Sequence, residues 1–365
     1  GNIRVDTLRL EPLHLHPDEM DMAFSVALDV QNLTPHDLNF KMQVDTISFV
    51  MHNERFPIDS IMIRANAVNG IDSVTLNSGI AHAYVAGSFD YNTVTNALIG
   101  YINRFYKIYT DSIQEQPMQQ VSFGLETSDN HPIFSAIIPG LNKISGVKAS
   151  GSFVSDKNGG TLLVNGSLDT LVYKGIVMGK TDGDIRSVGD SILYKLGVQS
   201  VKVAGKTFLN NAIFGYVKND SLLVNFLTKD PKGRDWFALN GILSNEDSGY
   251  WFHVGEKMLL NYAGWTATPD NYVYYGKTGL LVNNFKIQNE ASRILISSQE
   301  DKANSPIDLS LDNFNLFSIS SFFSSDKEIM NGSMNARLTI DDLNKDIPSF
   351  TGYAYISHFE LMTQP

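Results

Sequence analysis

Two histidines near the amino terminus are the residues best suited to bind a metal ion. His14 and His16 are two positions apart, so on a strand they would share one face, and Asp18, Glu19 and Asp21 follow them. The remaining ligands would have to come from an acidic loop. The alternative interpretation is a pair of exposed histidines on a strand, and we favour it. The sequence therefore predicts no metal site.

Other motifs of catalysis or ion binding are missing or incomplete. Asp182-Gly183-Asp184 resembles the start of a calcium loop, but the glutamate that closes an EF-hand does not follow, so we predict a hairpin turn there. We find no glycine-rich phosphate loop and no G-x-S-x-G elbow. Carboxylates are scattered, which leaves a hydrolase with dispersed acids as the weakest of three hypotheses. We predict no catalytic residue, no cofactor and no enzyme activity.

Charge and cysteine content exclude several classes of protein. The 365 residues carry 28 basic and 39 acidic side chains, a net charge of -11, with no basic stripe. Nucleic-acid binding needs concentrated positive charge, so it is disfavoured. The absence of cysteine excludes disulfides and cysteine-based zinc sites. No apolar run approaches the roughly 18–20 residues of a membrane-spanning helix.

Most of the chain alternates apolar and polar residues with a period of two, which is typical of half-buried strands. Examples are Phe40, Met42 and Val44 in one stretch and Ala336, Leu338 and Ile340 in another. Turn residues separate these stretches and predict an antiparallel all-β meander. The predicted turns are Asn69-Gly70, Asp156–Gly160, Asn165-Gly166, Asp182–Asp184, Asn219-Asp220, Pro269–Asn271 and Asn331-Gly332.

One segment follows a helical period instead. Between Tyr91 and Tyr109, apolar residues recur every three or four positions, which predicts a helix packed on the sheet, or alternatively a membrane-surface or partner helix. The stripe comprises Val94, Leu98, Ile102, Phe105 and Tyr109, and Asp90 or Asn92 would cap it. Shorter helical turns are predicted near Phe134–Leu141 and Asn313–Phe323. We place a domain boundary after this helix, giving segments 1–118 and 119–365, or one continuous domain 1–365.

Several predicted strands carry apolar residues on both faces. Phe214 and Tyr216 alternate with Ile213 and Val217, which are also apolar. Such strands fit either the deep core of a large sandwich or a sheet curled into a trough for acyl chains, because exposed apolar surface usually marks a binding site. We select groove residues that have a same-face apolar neighbour two positions away: Leu162, Val164, Phe214, Tyr216, Leu222, Val224 and Phe226.

A family resemblance supports the trough. The stretch from Trp265 through Pro269, Asn271 and Gly276 to Asn283-Asn284-Phe285 resembles a pattern of the TamB-like branch of the AsmA-like superfamily, in the form found in Bacteroidetes. The strand Arg293–Gln299 follows in the same order. Gly87–Tyr91, Ile138–Leu141, Gly166–Asp169, Tyr173–Gly175 and Phe359–Pro365 are similar too, so the resemblance covers most of the chain.

The resemblance implies a fold and a role. Such proteins are anchored in the inner membrane, extend through the periplasm and form an elongated, curled antiparallel sheet with a taco-like or bridge-like hydrophobic trough. They are linked to phospholipid transport between membranes and to outer-membrane protein assembly with an Omp85-type partner. The chain would then be an internal periplasmic segment, contacting phospholipid acyl chains. The alternative is a compact periplasmic or surface binding module that uses Trp251, Trp265 and exposed tyrosines to bind glycans.

Overall fold

The fold is known from a computed structural model that describes residues 1–9, 20–34, 37–51, 54–107, 118–156, 159–203, 205–246, 249–317, 328–341, 343 and 347–363. The prediction of an antiparallel all-β fold with one or two helices is confirmed: the described residues form 27 strands and two helices with defined bounds. His14 and His16 lie outside the described residues. No helix in the described part of the chain has the length and apolar character needed to cross a bilayer.

The chain divides into two compact units. Unit 1 comprises residues 1–104 and 108–189, and unit 2 comprises residues 105–107 and 190–365. The boundary that we placed after residue 118 falls inside unit 1, where the next strand pairs with strands on both sides.

Unit 1 is an antiparallel sheet with two helices. Its strands are β1 (Asn2–Arg9), β2 (Met20–Thr34), β3 (Asp37–Met51), β4 (Glu54–Val68), β5 (Ile71–Ser78), β6 (Ala81–Ser88), β7 (Gln119–Thr127), β8 (Leu141–Ser145), β9 (Lys148–Asp156), β10 (Gly159–Leu168), β11 (Thr170–Tyr173), β12 (Ile176–Met178) and β13 (Thr181–Val188). The helices are α1 (Val94–Asn103) and α2 (Pro132–Ile137).

Strands β1 to β7 pair in sequence order, and β9, β10 and β13 continue the sheet. Strand β11 pairs with β8 and β12 beside it. In β3, Phe40, Met42 and Val44 share a face, as the alternation predicts. Thr46 has a φ of 52°, and the β2–β3 register shifts beside it. This bulge brings Ile47 onto the same apolar face as Val44.

Helix α1 confirms the predicted helix but is shorter, and a different set of residues is buried. It covers Val94–Asn103, and its buried side chains are Ala97 and Tyr101, whereas Leu98 and Ile102 are only half-buried. Thr93 is the N-cap residue and forms no side-chain capping bond. Of the predicted stripe, Phe105 is indeed buried and Tyr109 lies outside the described residues. Leu98 and Ile102 were wrong, because Tyr101 is buried instead, and its hydroxyl finds polar partners that an apolar count overlooks.

Helix α2 also covers part of the apolar face of unit 1. It begins at Pro132, somewhat before the predicted turn, and its N-cap His131 accepts a hydrogen bond from the Ile133 N–H. Ile133 and Ala136 pack against Ile47 and Ile58. Of the third predicted helical segment, residues 313–315 belong to a strand, residues 316–317 are helical as predicted, and 318–323 lie outside the described residues.

Unit 2 consists of strands β14 (Ser191–Val203), β15 (Lys206–Lys218), β16 (Ser221–Lys229), β17 (Asp235–Glu246), β18 (Gly249–Val254), β19 (Lys257–Leu260), β20 (Ala263–Ala267), β21 (Tyr272–Gly276), β22 (Gly279–Asn283), β23 (Phe285–Gln288), β24 (Arg293–Ser298), β25 (Ile307–Asn315), β26 (Glu328–Asp341) and β27 (Ser349–Thr363).

The sheet of unit 2 forks at β17. Strands β14 to β17 pair in sequence order. One branch continues through β18, β21 and β22, and the other through β19, β20, β23, β24, β25, β26 and β27. Antiparallel pairing throughout these branches fixes which side chains share a face.

The turn predictions had mixed outcomes. Asn69-Gly70, Asn219-Asp220 and Pro269–Asn271 connect consecutive strands as expected, and the Asp156–Gly160 stretch joins β9 to β10, with residues 157–158 outside the described part. Three others were wrong, because each lies inside a strand: Asn165-Gly166 in β10, Asp182–Asp184 in β13 and Asn331-Gly332 in β26. Asn165 pairs with both Ser150 and Asp184, so strands on both sides hold the dipeptide extended.

Candidate functional site

The candidate site is one face of the unit 2 sheet. Leu222, Val224 and Phe226 alternate along β16, so their side chains point to one side. The face continues across neighbouring strands through residues that pair directly opposite them. One cross-strand row is Leu196, Ile213, Phe226 and Leu239, and a second is Ile192, Val217, Leu222, Leu243, Phe252, Val273 and Val282. We call this surface the apolar face of unit 2.

The register separates the groove residues selected from the sequence. Leu222, Val224 and Phe226 lie on the apolar face of unit 2. Phe214 pairs with Asn225 and Tyr216 with Leu223, so both point to the opposite side of the sheet. The set of seven residues therefore does not line one surface, although β15 and β16 do carry apolar side chains on both faces, as predicted.

Turn length is the signal that would have separated these residues. Asn219 and Asp220 have φ angles of 50° and 55°, as in a two-residue type I′ hairpin. Such a turn places Lys218 opposite Ser221. Counting back from that pair aligns Ile213, rather than Phe214, with Phe226.

The other two selected residues belong to unit 1. Leu162 and Val164 share one face of β10, and Leu162 pairs with Phe153. Helix α1 covers this position: the rings of Tyr101 and Phe153 are 5.6 Å apart in an edge contact, and Leu162 is 8% exposed. Leu162 is thus part of a helix–sheet core.

The branch through β20 extends the apolar face with residues that we did not select. One row is Phe285, Ile296, Leu309 and Leu338, and another is Ala267, Ile287, Ile294, Leu311 and Ala336. A core cluster of Met258, Trp265, Ala267 and Phe314 joins the branches, because Leu239 and Val254 pack against it. Period-two alternation marks Leu338 and Ile340, but only the register shows that they continue the surface that begins at β14.

The sheet of unit 2 curves toward its apolar face between β20 and β25. These strands are separated by β23 and β24, so in a flat sheet they would be about 14 Å apart. Nevertheless the rings of Trp265 on β20 and Phe314 on β25 are 6.3 Å apart. A sheet that is concave on this side brings such side chains together in this way.

Much of this face is half-buried. Leu222, Val224 and Phe226 are all partly exposed, as are Ile294 and Ile296, and Phe252 is 38% exposed. A deep sandwich core would bury such residues almost completely. Their exposure leaves apolar surface in contact with solvent along the cross-strand rows.

The opposite face is polar in β24, β25 and β26. Asp312 accepts hydrogen bonds from Arg293, at 2.7 Å from Nε, and from the Arg337 guanidinium. The Arg337 bond, ahead of the contribution of Arg293, lowers the pKa of the Asp312 carboxyl below its ordinary value. Tyr353 and Tyr355 stack beside this charge group. The two sides of these strands therefore differ strongly in polarity.

The motif residues that carry the family resemblance stabilise the branch point. Asn271 is 1% exposed; its Oδ1 accepts from the Val254 N–H at 2.9 Å, and its Nδ2 donates to the carbonyl oxygens of Val254 and Thr268. Asn284 has a φ of 45° and donates from Nδ2 to Asp270 at 2.7 Å. Pro269 lies in the same turn as Asp270. In the β21–β22 ladder, Gly276 is opposite Gly279 and Asn283 is opposite Tyr272. Phe285 lies on the apolar face of unit 2.

The tryptophans proposed for glycan binding are not exposed platforms. Trp265 is 5% exposed within the core cluster. The Trp251 ring lies 5.0 Å from Tyr272 and 4.8 Å from Tyr274, and its Nε1 is buried without a hydrogen-bond partner among the described residues. This part of the alternative prediction was wrong, because both rings pack against other aromatic side chains.

A turn between β16 and β17 holds a buried carboxylate. Asp230 is 2% exposed, and its carboxylate accepts from the Lys232 and Arg234 N–H groups, the Arg234 guanidinium and the Tyr262 hydroxyl. Burial alone would raise the pKa of Asp230, but these hydrogen bonds outweigh burial and lower the pKa to about 2. The arrangement holds a turn, since every donor belongs to the turn or to the adjacent Tyr262.

Comparison with known proteins identifies no relative: no family model, curated protein or solved structure matches this chain. Among the described residues, no group of three or more histidine, aspartate or glutamate side chains is placed to hold a metal ion. The resemblance to the TamB-like branch and the absence of enzyme activity therefore stay predictions.

Proposed function

We propose that this chain is a lipid-conducting segment of an envelope protein, with the apolar face of unit 2 as the surface that acyl chains follow. The observation that carries the proposal is the continuity of that face: cross-strand rows of apolar side chains, most of them partly exposed, run from β14 to β22 and from β20 to β26. Its curvature at Trp265 and Phe314 gives it a concave side.

The physical advantage of such a surface is solvation of hydrocarbon. Moving an acyl chain from apolar surroundings into water costs about 0.8 kcal/mol per CH₂ group. A row of half-buried leucine, isoleucine and phenylalanine side chains lowers that cost at each step along the path. Conduction needs weak and repeated contacts, so the work is shared by many residues and no single side chain is indispensable.

The cellular setting follows from the family resemblance. We propose a periplasmic location, with the full-length protein anchored in the inner membrane and extending toward the outer membrane. Phospholipid is the proposed cargo, and outer-membrane protein assembly with an Omp85-type partner is a second role of the same protein. These proposals rest on the motif from Trp265 to Phe285 and on the apolar face.

Photo-crosslinking in native cells tests the proposal. A photoreactive amino acid is placed at Phe226, on the apolar face, or at Leu227, its neighbour on the opposite face of β16. Phe214 gives a better matched control, because it is also a phenylalanine, is 41% exposed and points away from the apolar face. We expect labelled phospholipid to be captured at position 226 and not at 214 or 227.

Paired charge substitutions provide an independent measurement. Val224→Asp with Phe226→Asp introduces two carboxylates into the apolar face, whereas Leu223→Asp with Leu227→Asp introduces the same charge into the other side of β16. We expect only the first pair to reduce lipid transfer between membranes. Equal lipid capture at positions 226 and 214, or none at either in folded protein, would refute the conducting role.

A further inference from the structure

A second surface, in unit 1, has the properties of a ligand site. A depression of about 800 Å³ lies on the polar side of β5, β6, β7, β9, β10 and β13, the side opposite α1. Pairing aligns its residues in rows that cross the strands. The central row is Tyr84, Gly124, Ser150, Asn165 and Asp184. The next row is His82, Glu126, Lys148, Ser167 and Asp182.

Small residues form the floor of this depression. Gly124 and Ser150 are adjacent in the central row, with the taller side chains of Tyr84 on one side and Asn165 on the other. The Tyr84 ring lies over Gly124: a Cβ at residue 124 would be 2.3 Å from Tyr84 Cε1. Because Gly124 has no side chain, the Tyr84 ring can pack directly on the backbone of β7.

Tyr84 remains available to a ligand. Its side chain is 47% exposed although it stands on a polar surface, so it is not recruited into a core. An aromatic ring in this situation offers an apolar surface bordered by a hydroxyl group. The C–H groups of a pyranose ring stack on such a surface.

The surrounding polar groups suit a ligand with many hydroxyls. Glu126 and Lys148 form an ion pair of 2.8 Å at one edge of the depression. Asn165, Asp182 and Asp184 form no side-chain hydrogen bond or ion pair with other residues in the described part of the chain. The depression therefore offers both donors and acceptors without internal partners, and a hydroxyl can satisfy either type.

We propose that this depression binds a neutral oligosaccharide, with Tyr84 stacking on a sugar ring and Asn165, Asp182 and Asp184 bonding to its hydroxyls. The charge balance favours a neutral ligand over an anionic one: Lys148 is matched by Glu126, which leaves two carboxylates facing the depression. The site lies on unit 1 and is distinct from the apolar face of unit 2.

An array of neutral hexose and pentose oligosaccharides, followed by calorimetry with the best binder, tests this proposal. Tyr84→Ala and Asn165→Ala should each weaken binding at least tenfold. Tyr84→Phe, which keeps the ring, should change it by less than threefold. Tyr173→Ala is the control, because Tyr173 is an exposed tyrosine of the same unit, 36% exposed, outside the depression.

Three results would overturn the proposal. Failure of every neutral oligosaccharide to bind folded wild-type protein would do so, as would retention of full affinity in Tyr84→Ala. Binding of hexalysine instead, lost in the double variant Asp182→Asn with Asp184→Asn, would identify the depression as a site for cationic peptides. Circular dichroism of each variant confirms that loss of binding does not reflect unfolding.

Discussion

Helices cover parts of the apolar face of unit 1, whereas no helix with described bounds covers the apolar face of unit 2. In unit 1, α1 covers the sheet at Phe153 and Leu162, and α2 covers it at Ile47 and Ile58. Both helices with described bounds belong to this unit. In unit 2, long rows of the apolar face are only half-buried. A covered face stabilises the sheet, whereas an open one is available to a ligand.

The difference implies that the units depend on different contacts for stability. Unit 1 relies on helix–sheet packing centred on Tyr101. Unit 2 relies on its compact aromatic core at Trp265 and on hydrogen-bonded turns around Asn271 and Asp230. Substitutions at these places test the comparison, and the expected effects decrease in the order given below.

Tyr101→Ala should have the largest effect. Tyr101 is 3% exposed, and its hydroxyl donates to Ser187 Oγ at 2.7 Å while its ring contacts Phe153. Loss of the ring should lower the free energy of unfolding by about 3–5 kcal/mol. Hydrogen exchange of β9 and β10 measures this directly. Tyr101→Phe is the control and should cost only about 1–2 kcal/mol; equal costs would show that the hydroxyl, and not the ring, holds the helix.

Asn271→Ala should have the next largest effect. It removes three hydrogen bonds to backbone groups of Val254 and Thr268 at a position that is 1% exposed. Unsatisfied buried groups would remain, at a cost of about 2–3 kcal/mol. All three tryptophans lie in unit 2, so urea unfolding followed by tryptophan fluorescence reports on it. An unchanged midpoint would mean that the motif does not stabilise the branch point.

Asp230 should make unit 2 sensitive to acid. Its pKa is lowered to about 2 in the folded protein, below the value of about 3.9 of an unfolded aspartate. The stabilisation is therefore present above pH 4 and is lost as the pH falls from about 4 to about 2. Asp230→Asn should flatten this part of the pH profile of the tryptophan-detected unfolding midpoint. Parallel profiles for the two proteins would contradict the assignment.

Arg337→Ala should have the smallest effect. The Arg337 side chain is 45% exposed, and Asp312 keeps its bond to Arg293 when Arg337 is removed. Exposed ion pairs contribute little, so the free energy of unfolding should fall by less than about 1 kcal/mol. The same fluorescence assay measures this change. A larger fall in the free energy of unfolding would show that the polar side of β25 and β26 stabilises unit 2 as much as its turns do.

The fold class was predictable because strand alternation is local, whereas the site was only partly so. Alternation alone identifies Leu222, Val224 and Phe226 as neighbours on one face. It cannot show whether Phe214 joins them, because a shift of one residue in the pairing reverses a strand, and only the two-residue Asn219-Asp220 turn decides the register.

Glycine and asparagine misled the turn predictions for a physical reason. Asn165-Gly166 has the composition of a hairpin turn, but β9 and β13 bond to both sides of it. Gly124 is needed because Tyr84 lies against it. The role of these residues depends on strands that are distant in sequence, as does the depression beside Tyr84, so neither could be predicted from local patterns.

The order of strand pairing has a consequence for how the protein folds. From β2 to β6 and from β14 to β17, each strand pairs with the next one in the sequence. Each new ladder therefore closes only a short loop, and low contact order favours rapid folding despite the all-β architecture. The sheet can therefore grow hairpin by hairpin, so that each apolar row forms beside strands that are already paired.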